Sequence, residues 1–334
     1  MLTILYPESL YPDDTVERRI FGDGVAIIRR DVRSLADLDP IDCAAADGLM
    51  IFRHFVRADD LQRFPRLRVV VRMGVGYDRL DRAALAERGV TVCNLPDYGT
   101  TEVADHAVAL ALALRRGLML HYDAQREDPP APWRATPHPL LRRTSAQRFG
   151  VVGLGRIGTA VALRAKGLGF QVSFFDPNLP NGTELALGIK RAPALDALLR
   201  ETDTLSIHVP LTRETRGLIG AAEFAHLPAG AVVINTARGP VLDVDALEAA
   251  LRSGHLAGAG LDVLPVEPPV EPLPSLLGAY RAREPWLLGR VIITPHSAYF
   301  SPEANDDIRT KSAETMRAAL LTNRPQNVIA PGDP

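Results

Sequence analysis

Short apolar runs recur along the chain, separated by polar, helix-like stretches. In the first hundred residues they fall at Leu2–Tyr6, Val25–Ile28, Gly48–Phe52, Arg68–Arg72 and Val90–Asn94. Several lack polar–apolar alternation, which predicts strands covered on both faces. Ala58–Phe64 and Asp81–Arg88 read as helices between them. From Arg148 the pattern starts again. FGVVGLG, QVSFFD, TLSIHVP, AVVINTA, AGAGLDV and RVIITPH are six strand-like segments. Helical stretches at Ile157–Leu168, Ala194–Arg200 and Val244–Ser253 lie between them. Strand alternating with helix predicts parallel α/β sheets.

Three other stretches stand apart. Thr101–Leu120 predicts one long helix whose apolar residues wrap most of its circumference. Burial within the protomer or in a dimer interface would both account for that. Residues 127–142 (EDPPAPWRATPHPLLR) carry a proline cluster that helix and sheet both tolerate poorly, so they read as an irregular loop. Pro302–Thr322 predicts a last helix.

The chain has 334 residues, a length that suits two domains. The expected class is α/β, with two Rossmann-like or flavodoxin-like parallel-sheet domains and a cleft between them. The boundaries are read at 1–98 plus 298–334 for one, discontinuous domain and 99–297 for the other. A net charge of −2 gives no strong field to draw nucleic acid or an anionic membrane, so neither is expected as a partner. No apolar run is long enough for a membrane span, and Pro7, Glu8 and Pro12 interrupt the start where a signal peptide would need an apolar core. Two cysteines, Cys43 and Cys93, make no disulfide framework. A cytoplasmic setting is therefore expected. Lysine occurs only at 166, 190 and 311, which reads as the coding bias of a GC-rich bacterial genome.

Gly153–Leu154–Gly155–Arg156–Ile157–Gly158 follows an apolar strand and opens a helical pattern. Gly153 permits the tight turn, Gly155 lets backbone approach a pyrophosphate, and Gly158 lets helix pack on strand. The helix N-terminus offers free N–H groups to phosphate. Asp176 ends the next strand, where a carboxylate can bind ribose hydroxyls and repel a 2′-phosphate. The cofactor expected is NAD. No metal-ligand spacing is present.

Three ionisable residues follow strand-like segments: Arg238 after AVVINTA, Glu267 five residues beyond Asp262, and His296 after RVIITP. The carboxyl ends of strands in a doubly wound sheet line one crevice, so these can converge. Reducing a keto group needs a proton donor as hydride arrives on carbon, and histidine suits that work. A carboxylate beside it would hold its tautomer, and an arginine would supply a fixed fork for a carboxylate or carbonyl oxygen.

NTARG, the Asp262–x₄–Glu267–Pro268 spacing, PHSA and HVPLTRETRGLI (His208–Ile219) together resemble the signatures of D-isomer-specific 2-hydroxyacid dehydrogenases. The resemblance implies His296 as acid/base, Glu267 as its partner and Arg238 as the residue that polarises substrate. It implies Asp262 on the nicotinamide carboxamide, and Val209, Pro210, Thr215, Thr236 and Ala237 along the cofactor, with Arg156 and Ile157 in the glycine turn. Arg72–Asp78 resembles the family's substrate loop, with Val75 and Gly76 N–H groups binding the carboxylate of a small 2-keto or 2-hydroxy acid and Arg72 assisting. It further implies a homodimer through the 101–120 region.

Within the family, Arg156–Arg191 and HSAYFSPEA are most similar to the C-terminal binding proteins, a subgroup that includes NAD-binding corepressors. Tyr299 stands where that subgroup carries Trp, which alters the pocket wall. Two alternatives follow: an NAD(H)-binding corepressor-like scaffold, or a formate, phosphite or phosphorylated-acid dehydrogenase on the same scaffold.

Overall fold

The computed structural model describes residues 1–332. The chain divides into two compact units, Met1–Gly99 with Phe300–Pro334 and Thr100–Tyr299.

The first unit is built on five parallel strands: β1 (Leu2–Tyr6), β2 (Val25–Arg29), β3 (Gly48–Ile51), β4 (Val69–Arg72) and β5 (Thr91–Asn94). Their order is β2-β1-β3-β4-β5, the flavodoxin-like arrangement. The three strands β1, β3 and β4 are flanked on both sides, and their apolar residues are almost wholly buried. This accounts for their unbroken apolar runs. Residues 58–63 form a 3₁₀ helix, not an α-helix. Leu61 and Phe64, both buried, stand three apart and so share one side of that tighter coil. The C-terminal helix Pro302–Met316 belongs to this unit and widens into a π turn over 317–321. Arg309 fastens it to the helix Thr15–Phe21 through Glu17 at 2.8 Å.

The second unit has seven parallel strands, one more than the sequence pattern predicts. They are β6 (Arg148–Val152), β7 (Gln171–Phe175), β8 (Lys190–Arg191), β9 (Thr204–Ile207), β10 (Ala231–Asn235), β11 (Leu256–Leu261) and β12 (Val291–Ile293). Their order, β12-β11-β10-β9-β6-β7-β8, is the Rossmann order with an added edge strand at one end. The unpredicted strand is the two-residue β8, too short and too polar to show periodicity.

The long helix predicted over Thr101–Leu120 is broken. One helix runs Thr100–Arg115, and a second, Leu118–Arg126, starts after Gly117 at φ 61. A Cβ at position 117 would also lie 2.6 Å from Leu141. The first helix buries its apolar side within its own unit, against Phe149, Val151, Val161 and Ile234 among others. Gly258 and Gly260 of β11 make room for Leu114 and Leu110.

Candidate active site

The chain reverses direction across the sheet between β6 and β9, and the glycine turn lies at this switch point. Gly153 has φ 85, and a Cβ there would lie 2.8 Å from Val209 and 2.9 Å from the His208 carbonyl oxygen. A Cβ on Gly158 would overlap the Gly153 carbonyl. A Cβ on Gly155 would meet nothing within 4 Å, so that backbone face is open to an incoming group. The helix Arg156–Gly167 starts there with no side-chain cap on its N-terminus. Arg156 is exposed and Ile157 half-buried on its first turn. Asp176 reaches back to this turn. Its Oδ2 accepts from the Leu154 N–H and its Oδ1 from the Asn178 N–H, both at 2.9 Å.

Val209, Pro210 and Thr215 lie on the loop after β9. Thr215 folds it by donating to the Pro210 carbonyl at 2.6 Å and accepting from the Thr212 N–H at 2.8 Å. After β10, Asn235 is buried and holds the next turn from both sides. Its Nδ2 donates to the Arg238 carbonyl and its Oδ1 accepts from the Ala237 N–H, each at 3.0 Å. The Thr236 hydroxyl in this turn is buried without a hydrogen-bond partner. A buried polar atom in that state can meet a ligand group. The open Gly155 face, the uncapped helix N-terminus, the Asp176 carboxylate and the Thr236 hydroxyl together fit a dinucleotide.

His296 sits at φ 51, a conformation uncommon outside glycine. Its Nδ1 lies 2.6 Å from Glu267 Oε2. Glu267 Oε1 accepts from the Leu264 N–H at 2.8 Å, which orients the carboxylate. Burial works to raise the Glu267 pKa, but the hydrogen bond and charge of His296, the Leu264 N–H and the Arg238 charge together hold it below the usual range. Arg238 donates to the Ala237 carbonyl at 2.7 Å. Gly239 follows it, and a Cβ there would overlap the Leu264 carbonyl. The turn carrying Arg238 is thereby able to lie against the loop carrying Glu267.

Asp262 is 2% exposed. Its Oδ1 accepts from the Thr294 hydroxyl at 2.6 Å and the Ser297 N–H at 2.9 Å, and its Oδ2 accepts from the Ala298 N–H at 3.0 Å. The resemblance implies nicotinamide as its partner; the structure shows it spending three of its four acceptor positions on the His296 turn. Tyr299 packs edge-on to His296 with ring centroids 6.2 Å apart. The sequence pattern leads to Arg238, Glu267 and His296 and passes over Asn235, Gly239, Thr294 and His106. His106 Nε2 lies 3.0 Å from Thr294 Oγ1. Asn235 and Gly239 stand inside NTARG, so that motif is where a signal for them existed.

Arg72, Val75 and Gly76 belong to the first unit, at the carboxyl end of β4. The Arg72 guanidinium stacks 5.6 Å from the Phe52 ring centroid and occupies the space a side chain at Gly74 would fill. Asn94 Nδ2 donates to the Val75 carbonyl at 2.7 Å and fixes that loop. Among the described residues no group of His, Cys, Asp and Glu could hold a metal ion, and no helix is long and apolar enough to cross a membrane.

Residues 108–298 match the family model described as the NAD-binding domain of D-isomer-specific 2-hydroxyacid dehydrogenases. A glyoxylate reductase of Korarchaeum cryptofilum is 36% identical over 86% of this chain and 83% of its own length. C-terminal-binding protein 1 of Caenorhabditis elegans is 31% identical over 95% of this chain, which spans only 43% of that protein. The structure of an NADPH-dependent glyoxylate/hydroxypyruvate reductase from Sinorhizobium meliloti, in complex with NADP and malonate, superposes with a TM-score of 0.82 at 28% identity, covering 98% of this chain and 97% of that one. The chain therefore belongs to the D-isomer-specific 2-hydroxyacid dehydrogenase family, and residues 108–298 are its NAD-binding domain.

Proposed function

We propose that this protein interconverts a small D-2-hydroxy acid and its 2-keto acid, with NAD(H) as hydride carrier. The observation that carries the reading is the 2.6 Å His296–Glu267 pair, set on a left-handed turn that Asp262 holds from three sides. An ionised Glu267 can only accept, so Nδ1 carries a proton and Nε2 is the nitrogen left to exchange one. In the reducing direction His296 gives that proton to the keto oxygen, and Glu267 stabilises the imidazolium from which it comes. Arg238 offers a guanidinium to the substrate carboxylate or carbonyl. We assign the substrate carboxylate to Arg72 and the backbone of Val75 and Gly76, and the substrate side chain to Tyr299. Bound NAD(H) supplies or takes the hydride at C4 of its nicotinamide. Gly153, Gly155 and Gly158 seat its pyrophosphate, and Asp176 takes the adenosine ribose. Asp176 favours NAD over NADP, because a 2′-phosphate there would face a carboxylate already fixed by two N–H groups. The NADP-bound neighbour makes this preference a point to test.

The test is NADH and NADPH oxidation against 2-keto acids, starting with glyoxylate, hydroxypyruvate and pyruvate and extending to branched and aromatic acids. Turnover with NADH on at least one acid, and weaker turnover with NADPH, is expected. Tight NADH binding with no turnover on any of them would favour the second reading, an NAD(H)-binding scaffold. The similarity to C-terminal-binding protein 1 over 95% of this chain is what keeps that reading in view.

We also infer a homodimer through the 101–120 helix region. The helix Thr100–Arg115 buries its apolar side within its unit, whereas Leu118 and Tyr122 on the next helix are more than half exposed, as is Trp133 beyond it. Light scattering on the purified protein would return the dimer mass. Two free thiols suit the reducing cytoplasm.

A further inference from the structure

We propose that His106 is a positioning residue for the acid/base His296, acting through Thr294 and Asp262. The inference rests on the reading of His296 given above. The direction of each bond follows from the groups involved. Thr294 Oγ1 lies 2.6 Å from Asp262 Oδ1, and a carboxylate can only accept, so the single hydroxyl proton goes to Asp262. Toward His106 the same oxygen must then accept, and the 3.0 Å contact requires a proton on His106 Nε2. The chain of bonds is thus His106 Nε2–H to Thr294 Oγ1–H to Asp262. Asp262 in turn takes the N–H groups of Ser297 and Ala298, the two residues after His296. Its own carbonyl accepts the His296 N–H at 2.8 Å. The polar holds that these bonds provide between 294 and 298 all converge on one residue, Asp262.

The turn needs such a hold. His296 at φ 51 is in a region that costs a β-substituted residue energy unless its surroundings fix it. Asp262 fixes the turn, but β12 is only three residues long and ends just before Thr294. His106 supplies the missing outside reference. It stands on the 16-residue helix that opens the Thr100–Tyr299 unit, while the Thr294–Tyr299 segment closes that unit. The hydrogen bond therefore fastens the first element of the unit to its last, beside the acid/base. Its second neighbour is the Asp262 carboxylate itself, 3.8 Å from Nε2, which favours a donor at this place over an apolar side chain.

The experiment compares His106→Ala, His106→Gln, Thr294→Val and the double variant His106→Ala/Thr294→Val, with His296→Ala alongside. Steady-state kinetics, NADH binding and the downfield proton of the His296–Glu267 bond are recorded for each. His106→Ala is expected to lower kcat about 10–100-fold, the scale of a misplaced catalytic group. NADH affinity should stay within about twofold of wild type. His106→Gln keeps an N–H donor and should recover most of the rate. The double variant should be no slower than the slower single variant, because both break one chain of bonds. The downfield proton should shift or broaden in His106→Ala and return in His106→Gln.

Wild-type kcat in His106→Ala overturns the proposal. So do equal losses in His106→Ala and His106→Gln, or losses that multiply in the double variant. Should His106→Ala fail to fold, Thr294→Val against Thr294→Ser decides: the proposal requires the serine variant, which keeps the hydroxyl, to be the faster. Full activity in His296→Ala would instead overturn the acid/base reading, whatever His106 does.

Discussion

Two histidines follow strands in the Thr100–Tyr299 unit, and their surroundings give them opposite chemistry. His296 faces a carboxylate at 2.6 Å. His208, after β9, has only the Ser206 hydroxyl at 2.8 Å, and burial pushes its pKa down to about 3. His208 therefore stays neutral wherever an enzyme of this kind works. The unfolded chain binds a proton at that residue near pH 6.5, about the unperturbed value, and the folded chain does not until about 3. Between those values the unfolded state holds more protons, so this contribution to stability is complete above the higher value and is lost as pH falls toward the lower one. Thermal midpoints measured from pH 7 to pH 4 should accordingly fall more steeply for wild type than for His208→Gln. Equal slopes would mean that His208 is not held neutral. At this scale the motifs point to ionisable residues, because proton transfer demands particular side chains. They do not identify Asn235 or His106, whose parts depend on which backbone atoms the fold brings near them.

The break after Arg115 shows what periodicity leaves out at the scale of elements. Apolar spacing runs on through Leu118, Met119 and Leu120, yet the first helix stops where Arg115 turns inward, 1% exposed. Its Nε donates to Thr204 Oγ1 at 3.0 Å and its Nη1 to the Gly230 carbonyl at 3.1 Å, and its Nη2 donates to the Asp203 carbonyl. Burial lowers its pKa to about 10, opposed by Asp203. The guanidinium satisfies backbone carbonyls next to the starts of β9 and β10 and so ties the helix end to the sheet. Replacing it with methionine keeps the volume and removes the donors. Arg115→Met is expected to lose about 2–4 kcal/mol in urea unfolding, the cost of leaving several buried acceptors unpaired. A loss under about 0.5 kcal/mol, the range of an ordinary surface change, would show that water replaces the arginine there. Nothing in an arginine-rich sequence marks this one as buried. Strand existence was more legible than helix extent, because strands covered on both faces must be apolar throughout. The exception is β8, an edge strand under no such demand.

Over the whole molecule, two successive α/β patterns made two sheets legible, and the glycine turn marked which of them is the Rossmann type. The strand orders could be expected only by analogy, since apolar runs do not say which strands pair. Each sheet has its own core, and the dinucleotide features all lie in the Thr100–Tyr299 unit. NADH at about 100 times its Kd should raise the stability of whatever unfolds together with that unit by about 2.7 kcal/mol. Hydrogen exchange should show the protection concentrated on Gly153–Gly158, the Asn235–Arg238 turn and the loop after β9. Protection confined to the first unit would contradict the placement of the cofactor.

The most direct test of the account is the single substitution His296→Ala, assayed on the best keto acid with NADH and checked for NADH affinity by fluorescence. Turnover is expected to fall by at least about 10²-fold, the scale of general acid–base catalysis, while NADH affinity stays at the wild-type value. Glu267→Gln should lie between the two, since it keeps an acceptor for Nδ1 but not the charge that stabilises imidazolium. Turnover at the wild-type rate in His296→Ala would contradict the account, and the proton donor would have to be sought elsewhere.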